Sequence, residues 1–406
     1  MPTESLSYRQ VLRERRLAVL LCGDIVSKVG DGMLLVVLPL LVLHSYAGDR
    51  PAIAIGLVSA APFVLSVAVS LWFGLGRRRF APRAVLLSDS ALRACTVSGA
   101  ALLALASQLP LWLLCAVLLL GSCLRLIAAS GRRLVATAMG GERGQFAVNG
   151  LLGTSDSLAL YVIGPALGGV LVAASTPAVV LLISGLTYLA LLLAVSLAVP
   201  TSAAATATSG EQPSSSGWAV LRAVPVAAAL FGVVFAFNLS YMPVEITLPL
   251  LVRGPLEGSA AALGLIWTSF GIGALIGAVL TNQLRHVPEG PTLIGIIIGW
   301  AACVGVLAAA PNVVTAAAAL AVGGLIYAPF TPVAYSLVQA RLTSDEQQPV
   351  LTLWAAGTVL AAPIGLLLGG PLVTLTGIRG GVLASFVLTA ALAPVAALAL
   401  YRSRKP

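Results

Sequence analysis

Charge is what this chain has least of. Only 9% of its 406 residues are Asp, Glu, Lys or Arg, while 59% are hydrophobic and the mean hydropathy is +1.02. A soluble domain carries roughly 25% charged residues, so too little polar surface exists here to face water on all sides. Lysine is almost missing, with Lys28 and Lys405 against 21 arginines. Histidine occurs only as His44 and His286, and no HExxH is present, which excludes the zinc-hydrolase pattern. No GxxxxGK[ST] occurs either, so an ATP-driven pump would need a separate engine. The five cysteines (Cys22, Cys95, Cys115, Cys123 and Cys303) sit in apolar stretches without a CxxC. They read as free buried thiols, and neither a disulfide framework nor a metal site is expected. An intramembrane protease needs a Ser/His or paired-Asp arrangement between helices, which two aspartates on one helix do not supply. No enzymatic activity and no cofactor are expected.

What the chain has in abundance is long apolar runs. They fall near 17–43, 52–74, 84–106, 110–130, 148–173 and 176–198, then 220–251, 258–283, 291–310, 312–340, 349–375 and 379–401. Each can cross a hydrocarbon core of about 30 Å as a helix. Open sheets are excluded there because unpaired backbone groups are not tolerated in lipid, and the alternation of an outer-membrane barrel is absent. The prediction is an all-α integral membrane protein of twelve transmembrane helices. The basic stretch Arg13–Arg16 precedes an apolar run too long and too charged for a cleavable signal.

Formal charge is +9, yet the basic residues form no face or tail of the kind that binds nucleic acid. They sit in short clusters between spans. With a cytoplasmic N-terminus, 17 of the 23 basic residues fall on the inner side, including Arg77, Arg78, Arg79 and Arg83, against Arg50, Arg253 and Arg379 outside. That asymmetry predicts both termini in the cytoplasm. Among the tryptophans, Trp112 and Trp300 read as interfacial anchors, whereas Trp267 or Trp354 would suit a cavity wall.

The Ala/Thr/Ser/Gly/Pro stretch 199–217 reads as a flexible cytoplasmic linker. It divides the chain into an N-terminal six-helix half, 1–198, and a C-terminal six-helix half, 218–406. An internal repeat agrees: Leu38-Pro39-Leu40-Leu41-Val42 recurs as Leu248-Pro249-Leu250-Leu251-Val252, and Ala54-Ile55-Gly56-Leu57-Val58 is echoed by Ala262-Leu263-Gly264-Leu265-Ile266. The offsets are 210 and 208. Two halves in one orientation make parallel repeats about an axis along the membrane normal.

Ionisable residues inside spans mark function by default, because a mid-bilayer charge costs at least about 2.5 kcal/mol. Asp24, Lys28 and Asp31 lie within an arc of about 60° on the first span, with Lys28 in reach of both acids. One reading is a self-neutralising triad that lets the helix insert; the other is a titrating site facing a cavity. Lysine at the one deep cationic position, and an acid left over, favour the second. Asp156 lies in the fifth span. In the seventh, Asn238, Tyr241 and Glu245 share a face around Pro243 and are candidate substrate contacts, with Asp156 beside them. Asp89 and Arg93 in the third span, and Arg125 in the fourth, read as gating or structural groups.

These features together resemble the major facilitator superfamily, and within it the branch of macrolide-efflux and enterobactin-exporter relatives. Ser27-Lys28-Val29-Gly30-Asp31-Gly32 with Leu38-Pro39 resembles that branch's first-helix signature, and Ser88-Asp89 with Arg93-Ala94 its third-helix start. Gly164-Pro165-Ala166-Leu167-Gly168-Gly169 is similar to the antiporter motif of the fifth helix. One position departs: Gly74-Leu75-Gly76-Arg77-Arg78-Arg79 lacks the usual acid, so Asp89 or Asp156 would have to face these arginines in a gate. The resemblance implies a proton-coupled drug antiporter of a bacterial inner membrane, driven by the proton gradient. It would work as a monomer by alternating access, with a site between the halves. Asp31 would be the main proton carrier, tuned by Asp24 and Lys28, and the exported molecule amphipathic. Two other functions fit the scaffold: a symporter importing a nutrient or siderophore, and a non-transporting receptor or assembly partner.

Overall fold

Twelve helices in the computed structural model are long and apolar enough to cross a membrane. They are α1 (Arg15–Ser45), α2 (Pro51–Ser70), α3 (Pro82–Leu105), α4 (Leu111–Gly141), α5 (Arg143–Ala174) and α6 (Pro177–Ala198). The second six are α7 (Pro225–Arg253), α8 (Ala260–Leu284), α9 (Glu289–Ala309), α10 (Val313–Gln339), α11 (Ser344–Thr376) and α12 (Ile378–Tyr401). Residues 6–46, 48–76, 81–200 and 217–402 are described, and they contain no strand. The linker expected over 199–217 lies, apart from its ends, outside the described residues, as does Arg77.

Local chemistry sets the helix ends. Pro82, Pro177 and Pro225 stand in the first turns of α3, α6 and α7, where a missing N–H removes nothing. The Asn312 side chain accepts from Thr315 N at 2.9 Å, and the Glu346 carboxylate accepts from Thr343 N at 2.9 Å, capping α10 and α11. Two arginines cap C-termini: Arg83 Nε donates to Val199 O at 2.8 Å, and Arg379 donates to Ala308 O and Ala310 O at 2.7 and 3.0 Å. A cation there satisfies carbonyls that no further turn can reach.

The spans correct the sequence reading between α4 and α5. Apolar content ends near 130 and resumes near 148, which suggests a loop. Instead both helices continue through charged residues and meet at Gly141, whose φ of +65° turns the chain in one step. Ala, Arg, Glu and Gln are good helix formers wherever they lie, so the helix outlasts the hydrophobic run. As a result Arg132 rides on α4.

The described residues group into two compact units. One holds those of Met1–Ala47, Ala61–Thr208 and Ser259–Thr268; the other holds those of Gly48–Ala60, Ser209–Gly258 and Ser269–Pro406. Within the first, α1 packs along α5 and α6, and α6 along α3. Within the second, α7 packs along α11 and α12, and α12 along α9. The scheme of each unit thus repeats the other's, six helices on.

Small residues make these contacts close, as expected where lipid gives helices no hydrophobic reason to associate. Gly23 lies against Ala190 and Ala194, Gly30 against Thr187, and in the second unit Gly365 against Leu239 and Met242. A Cβ on Gly32 would stand 2.6 Å from Leu160 O and 2.9 Å from Gly164 Cα. Both neighbours are backbone and cannot step aside. Gly32→Val is therefore expected to destabilise the protein by about 1–3 kcal/mol through overpacking. Gly99→Ala, where a Cβ meets nothing within 4 Å, should be neutral or stabilising by up to about 1 kcal/mol. Thermal unfolding of the detergent-solubilised variants compares the two.

Candidate functional site

The first unit collects buried charge around α1. Asp24 is fully buried, and its carboxylate meets Lys28 Nζ at 2.7 Å on its own helix and Arg132 of α4. Lys28 also pairs with Asp156 of α5, whose side chain is half exposed. Asp31, two turns on from Asp24, belongs to a second cluster. It pairs with Arg93 of α3 and accepts from the Tyr188 hydroxyl of α6 at 2.7 Å. Arg93 in turn donates to Tyr188 Oη at 3.2 Å and lies over its ring, 4.2 Å from the centroid. Asp89 follows at 3.9 Å from Arg93.

The expected triad is thus divided. Lys28 does not serve both acids: it holds Asp24 and Asp156, while Asp31 turns to α3 and α6. A helix face of about 60° still spans several ångströms of circumference, and neighbouring helices supply stronger partners from each side. Asp156, expected among substrate contacts, is instead a counter-ion of Lys28. The Asp89–Arg93 pair exists only as a long contact, because Arg93 is committed to Asp31. Arg125 makes no ion pair among the described residues and lies 5.0 Å from the Phe63 ring centroid. The arginines proposed as gate partners, Arg77, Arg78 and Arg79, lie outside the described residues, and the nearby Arg83 caps α6.

Sequence reasoning missed Arg132 and Tyr188. Arg132 was hidden by the loop assignment, although its spacing of seven from Arg125 puts both on one helix face. Tyr188 is a lone aromatic with a polar tip in an apolar helix, and such a hydroxyl needs a partner when buried. That requirement was a usable signal.

Gly164 and Pro165 act beside this network. A π-helical turn, Ala159–Ile163, precedes them, with Gly164 N bonding Ala159 O. Pro165 offers no N–H to the preceding turn, and a widened turn absorbs the missing bond. Gly164 then touches Gly32, next to Asp31, and Gly168 touches Met33. Thr268 Oγ donates to Val162 O at 3.2 Å, and Gly169 approaches Gly264. The motif gives α5 a bend and a bare surface for α1.

The other candidates belong to the second unit. Asn238 donates to Val234 O at 2.8 Å on its own helix α7. The Tyr241 ring lies 5.5 Å from Trp300 and 5.9 Å from Tyr327, and Phe270 and Phe237 adjoin Tyr327 at 5.9 Å each. Glu245, one turn beyond Tyr241, is half-buried and meets no hydrogen-bond or ion-pair partner among the described residues. Trp300 corrects an expectation: it is fully buried in this aromatic group and cannot be an interfacial anchor, whereas Trp112 is 71% exposed. Trp267 and Trp354 are both buried. Cys22 and Cys95, expected to be buried, are exposed. Among the described residues no three His, Cys, Asp or Glu side chains gather as a metal site.

The family described as transmembrane secretion effector has a model that matches residues 156–404. Proteins named enterobactin exporter EntS, from Salmonella typhimurium (strain LT2) and Salmonella typhi, are 32% identical over 114 residues. The matched stretch spans 28% of this chain and 28% of each of those relatives. Among solved structures, the nucleoside transporter NupG superposes with a TM-score of 0.74 at 11% identity, covering 96% of this chain and all of that one. A bacterial homologue of the iron transporter ferroportin, in an inward-facing state, gives 0.72 at 15% identity over 95% of this chain and 98% of its own. At these identities the likeness concerns the fold alone.

The geometry makes the two partners of the Asp31–Arg93 pair unequal. Arg93→Gln leaves Asp31 and Asp89 buried with no cation between them, and removing one partner of a buried pair costs about 3–5 kcal/mol. Asp31→Asn leaves Arg93 beside Asp89 and should cost clearly less. Unfolding midpoints of the two variants, and of the double variant, give the order; an Asp31→Asn loss equal to that of Arg93→Gln would contradict it.

Proposed function

This chain belongs to the transmembrane secretion effector family, and we propose from that premise that it is a proton-coupled exporter of an amphipathic small molecule, working by alternating access. The twelve-helix fold is that of major facilitator transporters, so the chain moves molecules across a membrane. Proton coupling is carried by one observation: a carboxylate, Asp31, held deep in a span by Arg93 and Tyr188 from two other helices. Protonating Asp31 removes the charge that holds Arg93, so the link from α1 to α3 and α6 has two arrangements, distinguished by whether Asp31 is protonated. A proton entering from one side can therefore select between them. Asp24, Lys28, Arg132 and Asp156 tie α1 to α4 and α5, which makes α1 the element through which the change spreads.

Glu245, Asn238 and Tyr241 are the proposed substrate contacts. An unpaired acid beside a group of aromatic rings suits a molecule with an apolar body and a cationic or hydrogen-bonding group. Export rather than import is favoured by the Gly164-Pro165 motif and by the stretch shared with the enterobactin exporter. The chain would act in a bacterial cell membrane with both termini in the cytoplasm. It would be a monomer driven by the proton gradient, with no cofactor and no catalytic chemistry.

Proteoliposomes containing the full chain and the fluorescent amphipathic cation ethidium test this reading. An imposed pH gradient should drive ethidium against its own gradient, toward the side with more protons. Asp31→Asn should abolish the dependence on pH while leaving downhill exchange. Glu245→Gln should raise the half-saturating ethidium concentration about tenfold, for a contact of about 1.4 kcal/mol. Undiminished pH-driven movement by Asp31→Asn would remove that residue from the proton path, and movement with the proton gradient would make the chain an importer.

A further inference from the structure

Asp89 is the charged residue that the proposed mechanism leaves unused. It is 4% exposed, and its Oδ1 has no hydrogen-bond partner among the described residues. Its contact with a cation is the 3.9 Å approach to Arg93, and Arg93 already serves Asp31 at much closer range. The groups that face Asp89 are Arg93 on its own helix, Asp31 from α1, and Arg125, Arg132 and Cys123 from α4; Tyr188 of α6 stands behind Arg93. Arg132 is bound to Asp24, and Arg125 is turned to Phe63. One guanidinium is therefore shared between two carboxylates, Asp31 on one of its nitrogens and Asp89 near the other.

We propose that Asp89 is a second proton-binding carboxylate and that Arg93 passes between Asp31 and Asp89, so that the three side chains share a single proton. This rests on the reading of α1 as part of the proton path. In this scheme Asp31 is the ionised, paired acid and Asp89 the protonated one, since an ionised carboxylate with a bare buried oxygen is strongly disfavoured. The exchange runs in one balanced step. A proton binds the Asp31 carboxylate, Arg93 is released and turns to Asp89, and the Asp89 proton leaves. One proton enters, one departs, and Arg93 keeps its charge throughout. Before and after, the trio is neutral as a whole, so neither end state holds an uncompensated ion. Asp89 lies one helical turn from Arg93, about 6 Å along α3. The exchange thus hands a proton from one depth in the membrane to another without a file of water.

Infrared spectroscopy of the purified full chain tests this directly, because only a protonated carboxyl gives the carboxylic-acid C=O stretch. At about pH 7 exposed Asp and Glu are ionised and silent. Glu245 is the other half-buried acid without a partner, so the measurement is made in a Glu245→Gln background. A protonated-carboxyl band is expected there. It should be lost on adding Asp89→Asn, and lost also on adding Asp31→Asn, because the freed Arg93 then ionises Asp89. It should grow on adding Arg93→Gln. Absence of the band, or its survival in Asp89→Asn, overturns the proton on Asp89; survival in Asp31→Asn overturns the exchange. Should Asp89→Asn fail to fold, Asp89→Glu keeps the acid and must shift the band, an unshifted band counting against the proposal. Ethidium transport that ignores the pH gradient would sink proton coupling and leave these spectra as they are, so the two ideas fail separately.

Discussion

An ion in the hydrocarbon interior must find its counter-ion inside the protein, and in the first unit that requirement arranges four helices about one. α1 carries two acids and one base within two turns. Its own lysine neutralises one acid in part, and the rest is answered from outside: Arg132 from α4, Asp156 from α5, Arg93 from α3 and the Tyr188 hydroxyl from α6. Each partner comes from a different helix, so each pair also fixes a helix position. The glycines at 23, 30 and 32 then let the backbones approach closely enough for those side chains to reach. Packing and electrostatics here are one constraint seen twice.

The second unit repeats the packing without the ions. α7 lies along α11 and α12 as α1 lies along α5 and α6, yet every ion pair among the described residues belongs to the first unit. Where α1 has carboxylates, α7 has Tyr241 and Phe237 in a group of rings, with Glu245 alone at its edge. A duplicated scaffold has kept its helix contacts and divided its chemistry. Charge that must be compensated sits in one unit, and packed aromatic rings sit in the other.

Much of this was legible in the sequence. Twelve apolar runs announced twelve spans because lipid imposes one requirement on every segment, length and hydrophobicity together. The LPLLV repeat announced the matching packing schemes. In-span charge pointed to Asp24, Lys28 and Asp31, each of which the structure places in an ion pair. Partners were harder to read, because an ion pair between helices depends on which faces meet, and one sequence does not record that. Arg132 was lost when hydrophobicity alone was used to end α4, since helix propensity continues where apolar content stops. Trp300 was misplaced because a statistical preference for the interface says nothing about a ring buried among other rings. Tyr188 was overlooked for want of a charge.

The two arginines that cap helix C-termini bear on how the chain is made. Arg83 reaches Val199, 116 residues later, at the end of the last helix of the first six; Arg379 reaches back 69 and 71 residues to Ala310 and Ala308. Until α6 has been synthesised, Arg83 has no carbonyl to bind, and until α12 enters the bilayer, Ala308 and Ala310 wait uncapped. Each bond therefore closes only once the last helix of its own six is in place. Domains emerging from the ribosome fold as units, the N-terminal one first. The caps act as a clasp on each set of six helices in turn, the first available as soon as α6 is made and the second only when α12 arrives.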